Sequence, residues 1–150
     1  MAINKGWDGG IWVSTAGYAA DTLAFAGGKQ IVHINNWEVA FNNDALENTV
    51  FGDTVYDRTY QPGLRSHTLS FAGYMEASDS GQKILLDEQA VGDEPSLIWV
   101  TALTERTAGA RAGWCGEGVM TGITVGTPVD GLSPISGNVQ ISGGLATFAT

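Results

Sequence analysis

"LRSHTLSFAGYM", residues 64–75, alternates in period two: Leu69, Phe71 and Met75 fall on one side of an extended chain, and Ser66, Thr68 and Ser70 on the other. That spacing marks a strand with one face in a core and one in water. The next stretch, "EASDSGQKILLDEQAVGDEP" at 76–95, abandons it. Ser78, Asp79 or Ser80 can cap a helix, Ile84, Leu85 and Leu86 with Ala90 and Val91 supply its packing face, and Gly92 with Pro95 ends it. The two stretches predict a sheet interrupted once by a helix over about residues 79–91. Such a helix is marginal alone. Burying two of its leucines, at about 1.5–3 kcal/mol each, is enough to hold it on a sheet.

Upstream, "QIVHINNWEVAFNN" (30–43) places Ile31, His33, Trp37, Val39 and Phe41 at alternate positions, which predicts one long strand bent at Asn35-Asn36. "IWVST" (11–15) reads as a short strand within an otherwise irregular N-terminal arm over 1–21. Residues 43–61 mix Asp, Asn and Gly with aromatics, run into Pro62-Gly63, and predict a long strand-connecting loop, far above the usual 4 to 6 residues. Loops of that length tend to carry function. Downstream, "SLIWVTALT" (96–104) is apolar on both faces and suits a central strand. "GWCGEGVMTGITVG" and "SGNVQISGGLATF" add two more strands around the turn-forming "TPVDGLSP". The fold class is mainly β: a β-sandwich or half-barrel with one short flanking helix, formed as a single domain over 1–150.

Composition agrees. The 150 residues include 43% hydrophobic and 15% charged side chains and 21 Gly, a globular, turn-rich balance. A formal net charge of −9 with seven Lys plus Arg argues against gripping nucleic-acid phosphates, because that affinity comes from cations displacing counterions. Cys115 is the one cysteine, so there is no intrachain disulfide and no cysteine-based metal site; it reads as a small buried residue. "MAINKGWDGG" lacks the apolar centre of a signal peptide, and no apolar run approaches the roughly 20 residues that cross a bilayer. The expectation is a soluble protein kept inside a cell, off membranes.

Catalytic patterns are thin. His33 and His67 can lie on neighbouring strands, but no metal-binding His pair, nucleophile elbow or Cys–His set accompanies them, and both read as structural. Asp87-Glu88 and Asp93-Glu94 read as solvated charge. "AGGKQ" (26–30) lacks the first Gly and the closing Ser or Thr of a phosphate loop and reads as a turn. No enzyme, cofactor or metal is expected. The five Trp leave a carbohydrate-binding sandwich open: Trp37 and Trp99 sit in strand patterns, whereas Trp7, Trp12 and Trp114 adjoin Gly-rich segments where an indole can stack on a sugar or pack between subunits.

The succession "INNWEVAFNND" (34–44), "NTVFGDTVYDRTYQPGLRSHTLSFAGYME" (48–76), "SDSGQKILLDEQ" (78–89) and "GNVQISGGLATF" (137–148) resembles the major tail tube proteins of long-tailed bacteriophages. The resemblance runs from about residue 28 to the end. Its pieces are the lead-in Pro62-Gly63-Leu64-Arg65-Ser66, the strand-ending Gly73-Tyr74, an acidic helix start with Asp79 and Gln82, and the closing Gly143-Gly144. The first 20 residues fall outside it, and residues 92–118 fit only in general character.

The resemblance implies a fold akin to type VI secretion tube proteins. It also implies hexameric rings that stack into a hollow tube, and DNA passing through without specific binding. Tape measure, terminator and tip proteins are the implied partners, in a virion tail assembled in the host cytoplasm. On that reading the 43–61 loop and the arm before Thr22 are the candidate ring-stacking elements, with Asn43, Asp44, Glu47, Phe51 and Asp53 as the loop's candidates. Tyr56, Asp57, Arg58 and Tyr60 complete that set. Glu38, Ser66, Thr68, Ser70 and Glu117 are candidates for the lumen wall, and Ile84, Leu85 and Leu86 seat the helix. A capsid decoration or tail terminator protein is the rival within virions. A hydrolase built on scattered carboxylates has no supporting spacing.

Overall fold

The computed structural model describes residues 9–14, 29–49, 58–86, 97–105 and 112–149. The elements are β1 (Gly10–Ser14), β2 (Lys29–Gln30), β3 (Ile34–Glu47), β4 (Tyr60–Tyr74), α1 (Ser80–Lys83), β5 (Ile98–Glu105), β6 (Ala112–Val125) and β7 (Pro134–Ala149). All seven strands form one antiparallel sheet in the order β2-β1-β5-β6-β7-β4-β3. Its two outermost strands, β2 and β3, are joined by residues 31–33 alone. A link that short forces the sheet to roll until its edges approach, and β1 accordingly passes beside β3. The result is a half-barrel.

The inner face follows the period-two pattern across the register. Ile11 pairs with Ala102 and Val13 with Val100; further round, Val39 pairs with Leu69, which pairs with Val139. These residues, with Phe71, Ile98 and Ile141, form the core, into which Ile31 and the fully buried Leu85 also project. The Phe71 ring lies over Gly137, where an added Cβ would stand 2.7 Å from the ring tip. β5 is buried on both faces, Thr101 and Leu103 as fully as Ile98 and Val100, as expected for a central strand.

Helix α1 seals the seam where the two edges meet. Asp79 caps α1, its Oδ2 accepting from Gln82 N–H at 2.9 Å and from Val32 N–H at 3.3 Å. Gln82 is 1% exposed. Its Nε2 donates to the carbonyls of Val32 (3.1 Å) and Tyr74 (2.9 Å), and its Oε1 accepts from Glu76 N–H at 2.8 Å. One side chain thus ties the β2–β3 link to the end of β4.

Three expectations change in detail. The strand read over 30–43 breaks at His33, which adopts φ 59° and puts Ile34 rather than itself toward the core. The cause is tertiary: Tyr74 N–H donates to His33 O at 3.0 Å, and an extra residue, Asn35, bulges between the Ile34 and Asn36 pairs, where the bend was read. The segment 43–61 is not loop throughout. Asn43–Glu47 and Tyr60-Gln61 pair as strands, and the hydrogen bond from Asn48 N–H to Thr59 O carries the hairpin one step further. The pairing survives because cross-strand hydrogen bonds require no apolar alternation. The α-helical turn is confined to Ser80–Lys83, followed by a wider π-type turn over 84–86; residues 87–91 lie outside the described ones.

Candidate assembly surfaces

Opposite the core, the sheet divides in two. On β1, β5 and the first half of β6 the outward residues Ser14, Thr101, Leu103 and Cys115 are buried. On β3, β4, β7 and the second half of β6 they are mostly polar, apart from Ala40, Ala72 and Val119, and are exposed or half-exposed. Register places Glu38 opposite Ser70 and Ala40 opposite Thr68; Thr68 in turn faces Gln140, and Ser142 faces Glu117. Glu38, Ser66, Thr68, Ser70 and Glu117, scattered over 80 positions of sequence, therefore share one face of a four-stranded sheet. Its side chains are tied down: Thr68 Oγ1 donates to Gln140 Oε1 at 3.4 Å, Gln140 Nε2 to His67 O at 3.0 Å, and Thr121 Oγ1 to Asn138 O at 3.3 Å. Among the described residues, the charges that register places on this face are the acids Glu38 and Glu117, with no Lys or Arg.

This four-stranded face has two open edges. β3 pairs with β4 alone among the described strands. On the other side, β5 pairs with β6 only as far as Gly118, so among the described residues Val119–Val125 has its partner in β7 and none on its other side. Val119 and Leu97 stand exposed where β5 leaves β6. Because the order β6-β7-β4-β3 alternates in direction, β3 of one copy runs antiparallel to β6 of a neighbour laid beside it. Nothing in the sequence pattern marks this open segment of β6; the pairing of β5 alone reveals it.

Beyond Ala40 on β3 and Ser66 on β4 the hairpin leaves the core and both its faces are exposed. Of the stacking candidates, Asn43, Asp44, Glu47, Arg58 and Tyr60 all lie exposed on this arm, while Phe51, Asp53, Tyr56 and Asp57 lie outside the described residues. Arg58 Nε and Glu47 Oε1 form a 3.8 Å ion pair whose exposure makes it worth little. Phe41 and Leu64, 49% and 81% exposed, show that the arm carries apolar surface as well. At its base Phe41 meets His67 and Trp114 edge-on, with ring centres 5.3 and 5.4 Å apart.

The remaining candidates fall into structural places. Leu85 is in the core, Ile84 packs against it and Leu86 is half-buried. His33 lies in the β2–β3 link, 3.6 Å from Glu76, far along the sheet from His67. A hydrogen bond from the Ser78 hydroxyl, then one from its backbone, with His33 nearby, holds Glu76 below its ordinary value. Burial pushes the Cys115 thiol up. Among the described residues no cluster of three His, Cys, Asp or Glu can hold a metal, and no helix is long and apolar enough to cross a membrane. Trp12, Trp37, Trp99 and Trp114 are half-buried; Trp7 lies outside the described residues.

Neither the known protein-family models nor the curated proteins match this chain. Solved structures do. The tail of an empty gene transfer agent particle, refined helically with C6 symmetry, superposes with a TM-score of 0.68 at 17% identity, covering 98% of this chain and 100% of that one. The SPP1 tail tube gives 0.71 at 16% identity, over 97% and 79% of the two chains. The sheath/tube terminator of an extracellular contractile injection system gives 0.64 at 11% identity, over 99% of each. The fold is thus the one these tail and injection-tube proteins share, as the resemblance implied.

Proposed function

We propose that this chain is a structural tube protein: copies close into six-membered rings that stack into a hollow virion tail, with the polar face of β3, β4, β7 and β6 lining the channel. The observation that carries this reading is a four-stranded, mostly polar face, free of Lys and Arg among the described residues, bounded by two strand edges of matching polarity that no other described strand pairs. An open edge is a liability in a monomer, because its backbone groups recruit strands. Here β3 of one copy on the Val119–Val125 edge of the next continues the antiparallel ladder, and such a head-to-tail contact closes into a ring at the right rotation. The C6 symmetry of the gene transfer agent tail supports a count of six.

The charge fits the task. Each copy contributes a formal −9, and Glu38 and Glu117 on the channel face repel phosphates within a Debye length of roughly 8 Å, so that DNA slides without sticking. Partners on this reading are further copies of the chain, then a tape measure protein within the bore and terminator and tip proteins at its ends. Assembly takes place in the host cytoplasm.

Electron microscopy of the purified chain should show long hollow tubes. Glu38→Lys with Glu117→Lys should leave the tubes intact and make them co-sediment short DNA in a salt-dependent way. Failure to assemble at any concentration would falsify the reading; double-lysine tubes that retain no DNA would move those two residues off the channel wall. A second reading, a tube terminator, is favoured by the likeness to the injection-system terminator and predicts discrete rings that never lengthen.

A further inference from the structure

Two exposed apolar patches sit at opposite ends of β4. The arm carries Phe41, Leu46, Tyr60 and Leu64. At the other end the turn between β6 and β7 holds Val129, 99% exposed, and Leu132, 68% exposed, beside the exposed Tyr74, Met75 and Val125. Pro128, Asp130 and Gly131 are residues that make a turn. Val129 and Leu132 are not needed for it, and single exposed apolar side chains would need no explanation, whereas a group gathered at one end of a sheet does. The turn is held in place: Met75 N–H donates to Ser133 O at 2.8 Å and Gly126 N–H to Pro134 O at 3.1 Å.

The arm cannot reach this patch on its own chain. Tyr60 and Tyr74 are the two ends of one strand, about 45 Å apart at roughly 3.3 Å per residue, and the arm points away. A second copy placed end to end brings the two patches together. Charge agrees with that placement: Arg65 on the arm has no ion-pair partner among the described residues, and Asp130 stands exposed in the turn.

We propose that the β6–β7 turn, through Val129, Leu132 and the adjoining Tyr74 and Met75, is the docking surface for the β3–β4 arm of a second copy in the next ring. The inference rests on the tube reading and names the receiving side of its axial contact. That contact is heterologous, arm onto turn, so it never closes and adds rings without limit.

The test uses the full chain. Val129→Asp with Leu132→Asp alters exposed side chains, so the variant should keep the wild-type circular dichroism and melting temperature. It should form six-membered rings, by native mass spectrometry, that do not stack. Leu64→Asp on the arm should stop at the same stage. Mixing the two sets of rings should restore one contact only, the intact arm of the turn variant on the intact turn of the arm variant, and yield double rings that grow no further. Tubes of wild-type length from the turn variant, or a mixture that stays as single rings, overturn the docking assignment while the tube reading stands. A wild-type chain that never stacks overturns both.

Discussion

Gln82→Ala deletes the three side-chain hydrogen bonds that seal the rolled sheet and leaves the carbonyls of Val32 and Tyr74 and the N–H of Glu76 without that partner. A hydrogen bond contributes about 0.5–1.5 kcal/mol net, and a buried group left unsatisfied forfeits more than that. Water reaches these part-buried groups once the side chain is gone, so the summed loss should be about 2–4 kcal/mol. For a chain of this length that lowers the melting temperature by about 5–15 °C. Urea unfolding of the dilute, unassembled chain, followed by Trp fluorescence, measures it, with Lys83→Ala on the exposed side of the same turn as the control. Gln82→Glu separates hydrogen bonding from shape. Its carboxylate would face two carbonyls, which raises its folded pKa above the unfolded value of about 4.3. The penalty then grows as pH rises beyond that value, so Q82E should be closest to wild type near pH 4 and weakest at neutral pH. A Q82A loss below about 1 kcal/mol, or one matched by the Lys83 control, would refute the seam argument.

Gly137→Ala places a methyl 2.7 Å from Cζ of Phe71, a ring only 4% exposed and unable to swing into solvent; the expected destabilisation is about 1–3 kcal/mol by urea titration, and a neutral result would mean that the ring slides freely. Ser78→Ala removes the 2.7 Å hydroxyl bond to Glu76, so the Glu76 carboxyl should titrate closer to 4.5 by NMR. In the wild type, a depressed carboxyl favours the folded state above its unfolded pKa and loses that effect as pH falls through the folded one. An unmoved titration in S78A would assign the depression to the backbone N–H of residue 78 and to His33 instead.

The helix shows how far local pattern reaches. A cap among Ser78, Asp79 and Ser80 and an anchor among Ile84, Leu85 and Leu86 follow from residue type and spacing, because capping and amphipathicity act within one or two turns; the fold selects Asp79 and Leu85. Gln82 lies three residues before Leu85 on the packing side, and a polar side chain at such a position was the available signal that something there needed hydrogen bonds. What it needed lay elsewhere, in carbonyls 50 and 8 residues away. The arm shows the opposite case: Asn43–Glu47 and Tyr60-Gln61 lack alternation because both faces are wet, so their strand pairing leaves no period-two trace.

Period-two strands, the short helix and the acidic balance were legible in the amino-acid order, since each depends on neighbours within a few residues or on a sum over the chain. The strand order, the two open edges and the gathering of Glu38 and Glu117 on one face were decided only by the folded sheet. Those properties belong to pairs of residues distant along the chain, and hydrogen-bond register, not composition, determines which of them meet.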